Sequence, residues 1–170
     1  QKDIIMYKPI SIISIEPIGL KPVCDIEVQN DHTYVANGIL NHNSDPNAQQ
    51  FPRLATNPDI RKCLVASTGR LYLMMDYSQC IDGDSYIFCN TGIKKLKEII
   101  PGKDKICMID PQHKNKHRVL NIKVLANKGK AECLRITTNT GRQLILTEEH
   151  PVKTKQGFTL AKDLKLNDTL

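Results

Sequence analysis

The chain has 170 residues, with 24 Lys plus Arg against 18 Asp plus Glu, a net charge of +6. That length suffices for one ordinary domain with its own core, and the charge allows contact with nucleic acid without demanding it. No apolar run approaches the roughly 18 residues of a membrane span, and six cysteines with no C-x-x-C pair argue against both a zinc ribbon and a disulfide scaffold. The expectation is a reduced, cytoplasmic protein with free thiols. Ile4–Met6 is soon broken by Lys8 and Pro9 and reads poorly as a signal peptide. Aromatic residues are 5% of the chain and Trp is absent, which argues against a base-stacking platform.

Residues 1–43 are weakly acidic and read as short strands. Ile10–Ile15 is β-branched, Val23–Val28 alternates with period two, and Thr33-Tyr34-Val35 forms a third strand. Asn37-Gly38 is a hairpin turn leading to an apolar stub, Ile39-Leu40. Residues 44–79 change character, with Pro46 and Pro52 first and then an apolar run, Leu71–Met75, that reads as a buried strand. Residues 80–170 are strongly basic and return to short strands at Ser85–Phe88, Lys105–Ile109, Arg118–Leu125, Glu132–Thr137 and Gln143–Leu146. Turns are expected at Asn90–Gly92, Pro101-Gly102, Lys128-Gly129, Asn139–Gly141 and Gln156-Gly157, and short helices at Ile93–Ile99 and Leu160–Leu164. This spacing favours an all-β domain over βαβ units.

Two clusters carry chemistry. In His42-Asn43-Ser44, an Asn amide can attack its own backbone carbonyl and cut the chain after itself. His42 can protonate the leaving amine, and Ser44 supplies a hydroxyl nucleophile just after the cut. The second cluster is Cys80-Ile81-Asp82-Gly83-Asp84, with Thr147-Glu148-Glu149-His150 downstream. A Cys can attack the carbonyl of the residue before it and turn an amide into a thioester. That step is uphill and needs a polarised peptide bond with donors aimed at it. A Thr and a His three residues apart can be aimed at one backbone group.

Taken together, these clusters resemble the two ends of an intein, a self-splicing element of the Hint (hedgehog–intein) fold. Residues 80–170 are similar to the N-terminal part through Cys80, Gly83-Asp84, Lys97-Glu98-Ile99, Gly102–Ile106 and Gly141…Leu146-Thr147-x-x-His150-Pro151-Val152. Residues 1–43 are similar to the C-terminal part through Ile13–Gly19, Val23–Val28, Asn30-Asp31-His32 and Ala36-Asn37-Gly38 through His42-Asn43. The resemblance implies an all-β Hint fold of short, twisted antiparallel strands assembled from 80–170 and 1–43, with 44–79 as a connecting insert. It implies that Cys80 is the first nucleophile, that Thr147 and His150 activate the Gln79–Cys80 bond, and that Asp25 assists transfer. Asn43 cyclises with help from His42, and Ser44 is the second nucleophile. His32 occupies a recurrent His position. Asn41 departs from the family, which often has an apolar residue there. The implied activity is autocatalytic, single-turnover protein splicing, with no cofactor or energy source.

The order of the parts is inverted, so cutting at both junctions frees 44–79. That segment resembles part of a family A DNA polymerase, through Ser44-Asp45-Pro46-Asn47-x-Gln49 and Asp76-Tyr77-Ser78-Gln79. By that resemblance Asp76 is a Mg²⁺-binding carboxylate, active only in an assembled host polymerase that binds DNA after splicing. The implied partners are a complementary intein half, in the same chain or on another polypeptide, and other fragments of the host polymerase. No membrane partner is expected. The alternative is a non-splicing polymerase fragment acting as a structural or DNA-binding module, which would bind DNA in a salt-sensitive way.

Overall fold

A computed structural model describes residues 9–29, 33–42, 79–109 and 117–170. Residues Gln1–Asn43 and Ser78–Leu170 group as one compact unit and Ser44–Tyr77 as another. The strand expected at Leu71–Met75 lies outside the described residues.

The described part is all-β, as the spacing of strand and turn signals predicts. In chain order its strands are β1 (Ile12–Val28), β2 (Thr33–Ala36), β3 (Ile39–His42), β4 (Ile81–Asp82), β5 (Tyr86–Cys89), β6 (Gly92–Lys95), β7 (Lys105–Ile109), β8 (His117–Thr138), β9 (Gln143–Leu146), β10 (Pro151–Thr154) and β11 (Gly157–Leu160). They form one 11-stranded sheet in the order β1-β4-β9-β8-β7-β5-β2-β3-β10-β11, with β6 on β5 and β1 also paired to β8. The described strands of segment 1–43 are interleaved with those of 80–170. β1 pairs with β4 and β8, β2 with β5, and β3 with β10, all antiparallel.

Inward positions follow period two. In β5, Tyr86 and Phe88 are exposed while Ile87 and Cys89 are buried. Ile12, Ile26, Val28, Tyr34, Ala36 and Ile39 of the first segment share one core with Ile81, Ile87, Leu96, Ile106, Ile136, Leu144, Leu146 and Val152 of the last. Each fully buried Ile or Leu contributes roughly 1.5–3 kcal/mol. The joint core therefore outweighs the exposed ion pairs between the segments, each worth at most about 1 kcal/mol.

Asn37 and Gly38 both have positive φ, +49° and +78°, the signature of a type I′ hairpin turn, and they join β2 to β3 as expected. The turn is docked by side chains. Asn37 Nδ2 donates to the Gln143 carbonyl at 2.8 Å, Tyr86 N–H donates to Asn37 Oδ1 at 2.7 Å, and Arg142 donates to the Gly38 carbonyl at 2.7 Å.

Several local expectations are corrected. Ile12–Ile15, from the stretch expected at Ile10–Ile15, and Val23–Val28 are not separate short strands but parts of one strand of 17 residues, continuous through a register shift between Pro17 and Gly19. The two strands expected on either side of Lys128-Gly129 are likewise one strand of 22 residues, and the turn between them is absent. Gly129 takes φ +81° beside a register shift opposite Val23 and Cys24, so its freedom is spent on a bend, not a reversal. Each long strand has the other as partner, and that pairing satisfies backbone groups which a sequence window cannot see. The helix expected at Ile93–Ile99 is strand β6 followed by a single 3-10 turn, Leu96–Glu98, and the one at Leu160–Leu164 is a 3-10 turn, Ala161–Asp163. Strand β4 and the β10–β11 hairpin were not anticipated as strands, although the turn at Gln156-Gly157 was.

No helix among the described residues is long and apolar enough to cross a membrane. Cys24, Cys80, Cys89, Cys107 and Cys133 are unbridged thiols.

Candidate active site

Cys80 stands at the entry to β4 and is fully buried. Its neighbour Ile81 pairs with Cys24 of β1 on one side and with Leu146 of β9 on the other, which fixes the chain at this point. Val23 and Cys133 belong to the same small apolar cluster as Cys80.

Thr147 follows the end of β9 and addresses the Cys80 backbone from both sides. The Cys80 N–H donates to Thr147 Oγ1 at 3.1 Å, and the Thr147 hydroxyl donates to the Cys80 carbonyl at 3.2 Å. The Thr147 N–H donates to the same carbonyl at 3.0 Å. The nitrogen of the Gln79–Cys80 peptide bond is thus held by a hydroxyl.

A turn closes from Thr147 to His150, whose N–H donates to the Thr147 carbonyl at 3.1 Å, while the Ala161 N–H donates to the His150 carbonyl at 2.9 Å. Both backbone groups of His150 are therefore bonded, and its ring is directed into the interior with no exposure. Nε2 lies 3.3 Å from the Tyr34 hydroxyl, and the two rings meet edge to face at 81°. Burial is the main force on His150 and pushes its pKa down to about 4; the nearby Gln79 carbonyl raises it and the charge of His42 lowers it. The Gln79 carbonyl acts on the ring as an acceptor and favours its protonated form, while Nδ1 makes no hydrogen bond of full geometry among the described residues. Gln79 Oε1 is also buried and unpartnered there.

His42 ends β3 and is half-buried, its ring 4.9 Å from that of Phe158 in an edge contact. Lys153 Nζ lies 4.9 Å from the same Phe158 ring. Asp25 lies on β1, its carboxylate 3.9 Å from Lys128 Nζ. Its charge, after burial, helps push the Tyr34 hydroxyl well above the usual phenol range, as does Cys80. Asp25, Tyr34 and Cys80 are therefore electrostatic neighbours.

Of the residues singled out in the sequence, Cys80, Thr147 and His150 meet around one peptide bond, and His42 and Asp25 act on the same interior. Asn43, Ser44, His32 and Asp76 lie outside the described residues. Sequence reasoning missed Tyr34, which read only as part of the strand Thr33-Tyr34-Val35. Its only signal was a hydroxyl at a core position, and buried tyrosine hydroxyls find partners. It also missed the burial of Asn41. That side chain has no exposure, donates to the Ile39 carbonyl at 2.7 Å, and leaves Oδ1 without a partner among the described residues. Among the described residues no group of three or more His, Cys, Asp or Glu is placed to hold a metal ion.

Chemically, a thiol residue whose backbone nitrogen is gripped by a hydroxyl, beside a neutral imidazole in a dry interior, is equipped for acyl transfer at the bond before it. A scan against protein-family models finds no match to this chain, and a search of curated proteins finds none either.

Proposed function

We propose that the chain is a protein-splicing element of the Hint type, built from residues 80–170 and 1–43. The observation that carries this reading is the convergence of Cys80, Thr147 and His150 on the Gln79–Cys80 bond. In the first step Cys80 Sγ adds to the Gln79 carbonyl carbon. The carbon–nitrogen bond breaks, the thiol proton ends on the Cys80 nitrogen, and a thioester remains. Thr147 holds the departing nitrogen and His150 faces the carbonyl oxygen where charge develops. Ser44 then takes the acyl group, Asn43 cyclises with His42 as proton donor and releases Ser44, and the ester rearranges to an amide. Each bond is exchanged for another, so preorganisation rather than a cofactor supplies the rate.

The interleaving of strands from both segments, with a shared core, supports the version in which the two segments serve one splicing domain and 44–79 leaves as a ring joined from Gln79 to Ser44. In the other version each segment recruits a partner from another polypeptide, and 44–79 is passed into a three-piece polymerase. In that assembled host Asp76 would hold Mg²⁺.

Intact mass spectrometry of the 170-residue chain after incubation under reducing conditions tests the proposal. A cyclised 44–79 peptide with free 1–43 and 80–170 is the expected result. An unchanged mass, persisting after complementary fragments are added, rejects it.

A further inference from the structure

The site takes residues from both segments, and a residue of the first lies in hydrogen-bond reach of the His150 ring. Tyr34 lies on β2, in segment 1–43, and its hydroxyl is 3.3 Å from His150 Nε2. Tyr34 and His150 are both buried to within 1% of full burial. A neutral imidazole carries one proton, on Nδ1 or on Nε2, and its neighbours decide which. Here both neighbours point the same way. Among the described residues the buried Tyr34 hydroxyl has Nε2 as its only hydrogen-bond acceptor, so leaving its proton elsewhere would cost desolvation. The other ring nitrogen, Nδ1, is buried without a bonded partner, and the Gln79 carbonyl, an acceptor, stands near the ring.

We infer that Tyr34 is a positioning residue: it donates to Nε2 of His150 and so keeps the ring proton on Nδ1, the nitrogen left to serve the Gln79–Cys80 bond. This rests on the splicing reading for its use, though not for its geometry. As Cys80 Sγ adds to the Gln79 carbonyl carbon, Nδ1–H hydrogen-bonds the oxygen that takes up the electron pair. When the carbon–nitrogen bond breaks, the proton that left the thiol resides on the Cys80 nitrogen and the Nδ1 proton is unchanged. Phenylalanine would fill the same space yet leave the tautomer undecided. A second consequence is that the first step, although its reacting groups all belong to 79–170, requires β2 of the other segment to be in place.

The test uses the full chain with Asn43→Ala, which holds it before release of Ser44, with and without Tyr34→Phe. Ring ¹⁵N shifts of His150 report the tautomer, and cleavage at Gln79–Cys80 by added thiol reports thioester formation. The parent is expected to be protonated at Nδ1 and Tyr34→Phe to be mixed or protonated at Nε2. Thiol cleavage is expected to fall roughly tenfold, part of the ~100-fold or more that one donor to a developing oxyanion supplies. A purely structural tyrosine would change the thermal midpoint without changing the ring shifts. An unchanged tautomer in Tyr34→Phe, a parent protonated at Nε2, or equal cleavage rates overturns the inference. A parent that thiol never cleaves rejects the splicing reading, while the ring shifts still decide whether Tyr34 fixes the tautomer.

Discussion

A thioester step at Cys80 needs its nucleophile and its proton inventory in the same place, and each can be removed separately. Cys80→Ala is expected to abolish ligated product while leaving cleavage after Asn43 detectable, because in the proposed scheme Asn43 cyclisation does not use the thiol. Ligated product from Cys80→Ala, seen by mass spectrometry, would sink the scheme. His150 also makes a prediction about stability. Its pKa falls from the ordinary 6.5 to about 4 on folding, chiefly through burial. Between those values the unfolded chain binds the extra proton, so stability is complete above about pH 6.5 and declines as pH falls toward 4. The total is about 3 kcal/mol for a shift of this size. Denaturant melts across that window should show the decline, and His150→Gln, which has no titrating ring, should flatten it. Parallel pH profiles for the two proteins would remove His150 as the cause.

At the scale of elements, turns and one buried carboxylate hold the strands that carry these residues. Gly38 has φ +78°, and a Cβ there would run into the Arg142 guanidinium that its carbonyl accepts from. Gly38→Ala is expected to cost about 1–3 kcal/mol through backbone strain and displacement of Arg142, read as a lower denaturant midpoint. Asp104 has a fully buried carboxylate that receives Lys94 Nζ at 2.8 Å, the Thr91 hydroxyl at 2.6 Å and the Ile100 N–H at 2.8 Å. These bonds tie β6 to the loop before β7. Asp104→Ala strands those donors and is expected to lose about 2–3 kcal/mol, at the lower end for a broken buried pair because Lys94 is 25% exposed. A loss under about 0.5 kcal/mol would mean that water replaces the carboxylate without cost. The hairpin at Asn37-Gly38 was legible because that dipeptide names its turn type. The continuity of β1 and β8 was not, because Pro17, Gly19 and Gly129 look like breaks until a partner strand shows that they are bends.

On the scale of the whole molecule, charge separates by segment and then meets across β1 and β8. Glu27 is 3.0 Å from Lys123, Glu16 is 3.8 Å from Arg135, and Asp25 is 3.9 Å from Lys128. These pairs are partly exposed, so they matter more for encounter than for final stability. If the full chain is nicked within 44–79 by a protease, its fragments are expected to co-elute on gel filtration, held by the shared core. After denaturation, their reassociation should slow as salt is raised. Fragments that separate in buffer would show that the connecting segment, not the core, keeps the halves together.

The order of residues determined the all-β class, because period-two patterning and turn dipeptides act over a few positions. It also named Cys80, Thr147, His150 and His42 as reactive types at suggestive spacing, and Asp25 only through the family resemblance. Only the tertiary structure decided that the Thr147 hydroxyl grips the Cys80 nitrogen, that His150 is fully buried with its pKa lowered by that burial, and that Tyr34 faces its Nε2. Those facts depend on strands far apart in the chain sharing one interior, where removal of water sets both the protonation state and the worth of every hydrogen bond.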